Sequence, residues 1–396
     1  MVPGRIAVPR RPRAHNQVVV VLIAVGTAAS AATGFVGLAA NRLLSGRPVA
    51  LWEAAPPALV GAIALSAVAL FALAMMPPRL AVHRFAALVS GLLLVATLAA
   101  AGEAAARLAG TSSFATVSLG AGFWLIFACA ALALVDALQR ARAGAVVQLL
   151  VAVLAVAGFL VMAETGLFDT LSLAREFAGR REVFAAAVIR HVELVVGAIV
   201  PALVIGVPLG LLAQRRKSFE TPLFAVLNLL QTVPSIALFG LLIGPLSALA
   251  GALPALGALG IGGVGPAPAI IALVLYALLP IARNTLAGIG GVSPAALDAA
   301  HGMGMTRRQV FWQVEVPLAA PVLLAGLRIV LVQTIGLTVV AALIGAGGLG
   351  TFVFDGLGQY ATNLVLLGAL PAIFLALGVD FLLRLATSGT RGYLTP

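Results

Sequence analysis

The sequence predicts an all-α, polytopic transmembrane helix bundle of about ten spans, and three observations carry that expectation. Hydrophobic residues make up 62% of the chain and charged residues only 9%. The apolar residues gather in runs long enough to cross a bilayer, and the basic residues fall in the connections between those runs. An ordinary soluble domain carries about 25% charged residues, so a chain this poor in them lacks the polar surface to cover so large an apolar interior. The net charge of +11 would suit a nucleic-acid partner, but the 24 Lys and Arg lie in short scattered clusters and not on one face.

A bilayer core of about 30 Å takes about 20 apolar helical residues, and lipid forces every backbone polar group to bond within the protein. The apolar runs are therefore expected as helices near 17–40, 58–76, 85–101, 118–137, 145–163, 192–213, 221–243, 266–282, 318–340 and 364–384. Arg5, Arg10, Arg11 and Arg13 precede the first run. That run is far longer than the roughly 7–15 residues of a signal-peptide core, so an uncleaved first span is expected. With the N-terminus inside, sixteen Lys and Arg fall in cytoplasmic segments and seven in external ones, while Arg328 lies within a span. This asymmetry places both termini in the cytoplasm.

The segment 164–191, with Arg175, Arg180, Arg181 and Arg190 beside Glu164, Asp169, Glu176 and Glu182, reads as an external amphipathic connection. It divides the chain into an accessory region, 1–163, of about five nearly uniform apolar spans, and a core, 192–388, of about five spans that carry Asn, Gln, Thr and Pro. Polar groups inside spans are candidates for a translocation path, because lipid cannot satisfy them. Asn228, Gln231, Thr232 and Ser235 fall in the seventh span, where Pro234 is expected to kink the helix and free a carbonyl. Gln333, Thr334 and Thr338 fall in the ninth, with Arg328 about 15 Å from its cytoplasmic end at about 1.5 Å per residue. Asp380 and Arg384, four apart, read as a helical ion pair.

The cytoplasmic loop 283–316 is the most informative segment. Ser293 ahead of Pro294 is a helix start, an N-cap oxygen before a residue whose missing N–H costs nothing there. A short helix over 294–301 is broken by Gly302 and Gly304. Thr306 with Gln309 forms a capping box that opens a second helix running to Pro317. That helix sets Val310, Phe311 and Val314 near one face, with Arg307, Arg308 and Gln313 for polar contacts, and suits a groove on a partner.

Asp298-Ala299-Ala300, then Gly304, then Val314, Val316 and Pro317 follow the spacing of the EAA motif: Glu-Ala-Ala, three residues, Gly, nine residues, Ile-x-Leu-Pro. The chain resembles the binding-protein-dependent ABC importer permeases, with Asp replacing Glu and Val replacing Ile and Leu. The resemblance spans roughly 185–388 and implies a type I, MetI-like permease core in the bacterial inner membrane. Gln231-Thr232-Val233-Pro234-Ser235, Gln333-Thr334-Ile335-Gly336 and Ala342 to Gly350 look like the osmoprotectant permeases for glycine betaine and choline, in their longer form with extra N-terminal spans. The family implies two permease subunits, identical or related, two ATPase subunits that carry the ATP and Mg, and an external substrate-binding protein. It also implies that Asp298, Ala299, Ala300, Gly304, Arg307, Phe311 and Pro317 form the ATPase-coupling loop.

Other chemistries find little support. A P-loop needs a lysine after its glycines, and the one lysine, Lys217, follows Gln-Arg-Arg. Gly345, Gly347 and Gly350 match G-x-G-x-x-G but follow a membrane helix, so close packing or an external elbow is expected and not a dinucleotide site. The single cysteine, Cys129, rules out an internal disulfide, and His15, His83, His191 and His301 sit on different segments. No cofactor, metal or catalytic group is expected in the chain. The alternative is an ion- or proton-coupled carrier, which would place carboxylates at the midplane. Here almost all of the 13 acidic residues lie in loops or at span ends.

Overall fold

The computed structural model describes residues 15–41, 46–110, 115–258 and 260–391. The chain forms two compact units, Met1–Ala178 and Gly179–Pro396. Among the described residues nine helices are long and apolar enough to cross a membrane, and a tenth apolar helix, Gln17–Ala32, is shorter.

The first unit holds α1 (Gln17–Ala32), β1 (Val36–Ala39), β2 (Arg47–Val49), α2 (Leu51–Ala54), α3 (Pro57–Met75), α4 (Leu80–Ala109), β3 (Thr116–Leu119), α5 (Ala121–Arg140), α6 (Ala145–Glu164) and α7 (Ser172–Ala178). Asn16 starts α1 by accepting the Val19 N–H, and its amide donates to Asp136 of α5 at 2.6 Å. Asp136 also receives Arg140. On α4 the small residues Ala100, Ala101, Ala104 and Ala105 are all buried, which lets neighbouring helices approach closely. The three strands form an antiparallel sheet in the order β2-β1-β3. This corrects the first span: the helix stops at Ala32, and Phe35 and Val36 are buried at the sheet and not in lipid. An apolar run does not by itself distinguish a buried strand from a helix. α6 has no buried residue, as suits a helix immersed in lipid.

The second unit holds α8 (Arg181–Arg215), α9 (Lys217–Thr232), α10 (Ser235–Ala252), α11 (Pro254–Ala258), α12 (Pro266–Gly290), α13 (Pro294–Gly302), α14 (Arg307–Val310), α15 (Val316–Val340), α16 (Gly350–Gly358) and α17 (Thr362–Arg391). The segment 164–191 is divided between the units, and its last residues are the opening turns of α8. α12 is the central helix, flanked by α8, α9, α10 and α15. Its contact with α8 runs along Ala198, Ala202, Gly206 and Gly210, one buried small residue per turn. A Cβ at Gly210 would lie 2.6 Å from the Ala282 carbonyl oxygen, so the two backbones nearly touch. The seventh expected span is corrected as well. Residues 221–243 are not one helix but parts of α9 and α10, which break at Val233 and Pro234.

Candidate functional site

The elbow begins as the local chemistry dictates. Ser293 Oγ accepts the Ala296 N–H at 3.3 Å, and Pro294 takes the first turn of α13. At the other end Gly304 adopts φ +79°. Its N–H donates to the His301 carbonyl at 2.9 Å and the Met305 N–H to the Ala300 carbonyl at 3.2 Å, the paired bonds of a Schellman turn. Thr306 and Gln309 close a reciprocal capping box and redirect the chain into α14. Asp298 and Ala299 are exposed, Ala300 is buried, and Asp298 has no ion-pair partner among the described residues.

The helix expected to end at Pro317 does not end there. Residues 307–344 run on as one apolar element, with a π turn over Phe311–Glu315 in which the Val316 N–H reaches back to the Phe311 carbonyl. Proline has no N–H to continue the regular ladder, and the wider turn takes up that irregularity inside a continuous helix. Arg307 and Arg308 are exposed. Phe311 is half-buried, with the Arg215 guanidinium 5.8 Å from its ring centroid and Trp312 packed edge-on at 5.1 Å. The side chains that stand out from the elbow are Trp312, 60% exposed, and Met303, 75% exposed.

The broken helix is held to α12 by two reciprocal bonds. Pro280 has no N–H to give to the carbonyl of Tyr276 four residues earlier, and Gln231 Nε2 supplies that bond at 2.7 Å. The Tyr276 hydroxyl in turn donates to the Val233 carbonyl at the break. Below them Asn228 Oδ1 accepts from Arg283 at 3.1 Å, and Arg283 lies 5.6 Å from the Phe224 ring centroid. Gln231 and Asn228, read from the sequence as path-lining, thus already bond within the subunit. Thr232 returns its hydroxyl to the Leu229 carbonyl and Thr338 to that of Thr334, where Thr334 and Thr338 are both buried. Gln333 is exposed and Ser235 half-buried. An apolar groove along α8 is lined by Val188, Ile189, Val192, Glu193, Val196 and Gly197, and none of the sequence-predicted path residues borders it.

Arg328 of α15 pairs with Asp380 of α17 at 2.5 Å, and Arg384 holds the second oxygen of the same carboxylate at 2.8 Å. A charge at this depth is costly unless partnered, and the pair binds α15 to α17. The i,i+4 reading of Asp380 and Arg384 missed this third member, because the spacing between different helices is invisible along the chain. Tyr276, Met303 and Trp312 also escaped the sequence reading. Tyr276 carried a usable signal, its position four residues before a proline.

Residues 206–392 match the family of binding-protein-dependent transport system inner membrane components, and residues 14–174 match the N-terminal domain of the ABC transporter permease YehY. The osmoprotectant import permease protein OsmW of Salmonella typhimurium is 41% identical over 54% of this chain and 94% of its own length. The carnitine transport permease protein OpuCB of Listeria monocytogenes is 40% identical over 49% of this chain and 82% of its own. The choline transport system permease protein OpuBB of Bacillus subtilis is 38% identical over 50% and 83%.

Proposed function

This chain belongs to the family of binding-protein-dependent transport system inner membrane components, and from that membership we propose that it forms the translocation path of an ATP-driven importer for osmoprotectants of the glycine betaine, choline and carnitine class. The observation that carries the reading is the capped elbow at Ser293–Trp312, which falls inside the matched segment and presents Met303 and Trp312 outward. ATP and Mg sit on a separate ATPase, which receives the elbow. A second permease subunit completes the path, and an external binding protein delivers the solute. The elbow and both termini face the cytoplasm, as the positive charge asymmetry supports.

Within the elbow, Trp312 and Met303 are the docking side chains, since both stand clear of their own subunit. Phe311 supports them from beneath Arg215. An aromatic anchor buried in a partner groove contributes about 2 kcal/mol, or roughly thirtyfold in affinity. Reconstitution with and without the ATPase tests the whole reading: uptake of labelled glycine betaine, choline or carnitine must require the ATPase and ATP. Trp312→Ala must lower co-purification of the ATPase relative to Ala141→Ser in another connection. Uptake by the permease alone, driven by an ion gradient, would refute it.

A further inference from the structure

Four elements of the first unit meet in a cleft at its basic end: the entry to α1, the end of α3, the start of α4 and the end of α5. Buried Val19 and Leu70 form the floor, and exposed His15 and Arg140 with half-buried His83 form the rim. The rim is fixed by bonds within the unit. The N–H groups of His15 and Asn16 both donate to the Ala74 carbonyl, at 3.0 and 3.1 Å, and His15 Nδ1 meets the Met75 carbonyl at 3.2 Å. A carbonyl only accepts, so Nδ1 carries a proton there and Nε2 is left for other contacts. Arg140 is held by Nε alone, 3.0 and 2.9 Å from the two Asp136 oxygens, and Asn16 donates to the second of these at 2.6 Å. The carboxylate is thus satisfied. The terminal guanidinium nitrogens of Arg140 and the ring of His83 have no hydrogen-bond partner among the described residues. Arg79, Arg84 and Arg142 stand exposed at the same end, where Asp136 is the one acidic residue among those described.

Donors that converge on one cleft, with their only carboxylate already engaged, suit an anion. The apolar surface beside the rim decides which anion. Met76, which lines the cleft, is 49% exposed, and Phe85, two residues beyond His83, is 60% exposed. A free inorganic anion gains nothing from these side chains, whereas a phospholipid can set its phosphate on the rim and lay its glycerol and acyl chains along them. We propose that this cleft is a binding site for the phosphate of an anionic membrane phospholipid. Arg140 donates to the phosphate oxygens from its terminal nitrogens, and the rings of His83 and His15, protonated beside the anion, donate from the sides. A headgroup that carries its own cation would bring a positive charge back toward Arg79 and Arg84, so the site favours headgroups without one. The bound lipid ties the entry of α1 and the link between α3 and α4 to α5. This inference needs only the membrane-spanning fold of the first unit, and it holds for any solute that the chain carries.

The test uses the full chain purified in detergent and reads the change in melting temperature on adding phosphatidylglycerol, phosphatidylcholine with the same acyl chains, or inorganic phosphate. Phosphatidylglycerol at about ten times its Kd should raise the melting temperature by about 3 °C. Phosphatidylcholine should give less than about half that shift, and inorganic phosphate none. His83→Leu removes both ring nitrogens at similar volume, and Arg140→Gln removes the charge; each should cut the phosphatidylglycerol shift by about half or more. Arg140 also holds Asp136, so Arg140→Gln is judged by its shift on adding lipid. His83→Leu breaks no side-chain bond and should start from the wild-type melting temperature. Arg84→Gln removes a charge from the adjacent exposed position outside the cleft and should keep the full shift. An equal loss in Arg84→Gln would reduce the effect to diffuse basic charge and overturn the site, as would unchanged shifts in both His83→Leu and Arg140→Gln. Phosphatidylcholine as effective as phosphatidylglycerol would mean that acyl contacts act alone. A full shift from inorganic phosphate would assign the cleft to a soluble anion. Either result overturns the lipid site.

Discussion

Gly304→Ala tests whether the elbow works through backbone conformation or through free space. A Cβ at Gly304 would meet nothing within 4 Å, so crowding contributes nothing to the penalty. The penalty is the left-handed φ of +79°, which costs an L-residue about 1–2 kcal/mol. That reduces the population of the folded elbow, relative to alternatives, by about 5- to 30-fold. Asparagine tolerates the same region better, and a β-branched residue tolerates it worse. Gly302, two residues earlier and equally open, has no positive φ, and alanine there adds about 0.5–1 kcal/mol of helix stability. The expected order for ATPase co-purification and for uptake is therefore Gly302→Ala at or above wild type, then Gly304→Asn, Gly304→Ala and Gly304→Val. If Gly302→Ala is as damaging as Gly304→Ala, the surface near the elbow rejects any added atom and the conformational argument is wrong. If Gly304→Val assembles and transports normally, the elbow is not the coupling element.

Two other substitutions probe the packing that positions the site. Gly210→Ala places a Cβ 2.6 Å from a backbone oxygen and should lose about 1–3 kcal/mol to overpacking, whereas Gly240→Ala, with nothing within 4 Å, should be neutral or stabilising; equal melting temperatures would refute the close α8–α12 approach. Tyr276→Phe and Gln231→Leu should each cost about 1–3 kcal/mol, with a coupling above about 0.5 kcal/mol in the double variant, and strictly additive melting shifts would mean that the two bonds across the break are independent.

The legible parts of this chain were those written in local chemistry. Ser293, Thr306 and Gln309 cap helices through neighbours three residues away, so the two helix starts of the elbow could be read from spacing alone. The spans at Pro57–Met75, Ala121–Arg140 and Ala145–Glu164 followed from length and hydropathy. What stayed hidden depended on partners distant in sequence. Phe35 and Val36 continue an apolar run but bury against one strand thirteen residues on and another more than eighty on, so the first span was drawn too long. Asn228 and Gln231 looked free for a solute because their partners, Arg283 and the Tyr276 carbonyl, lie on α12. Arg328 likewise gained meaning only once α17 brought Asp380 beside it.

The continuity of the helix from Arg307 to Ile344 links these features mechanically. Had the chain broken at Pro317, a push on the elbow would have been absorbed in a flexible joint. The π turn over Phe311–Glu315 instead keeps the backbone bonded through the proline. Trp312 and Arg328 therefore lie on one element, sixteen residues and about 24 Å apart. There the ion pair joins α15 to α17 through Asp380. Further along the same helix, Thr334 and Thr338 are buried in the unit's interior, and the helix ends at the residues that lead into the glycine turn 345–348 beside His191. Pro321 lies inside α15 and Ala341–Ile344 is a 3-10 turn, so the helix can bend at these points while still joining its two ends. The elbow and the glycine turn beside His191 are thus joined by one continuous helix, the element through which any coupling between them would run.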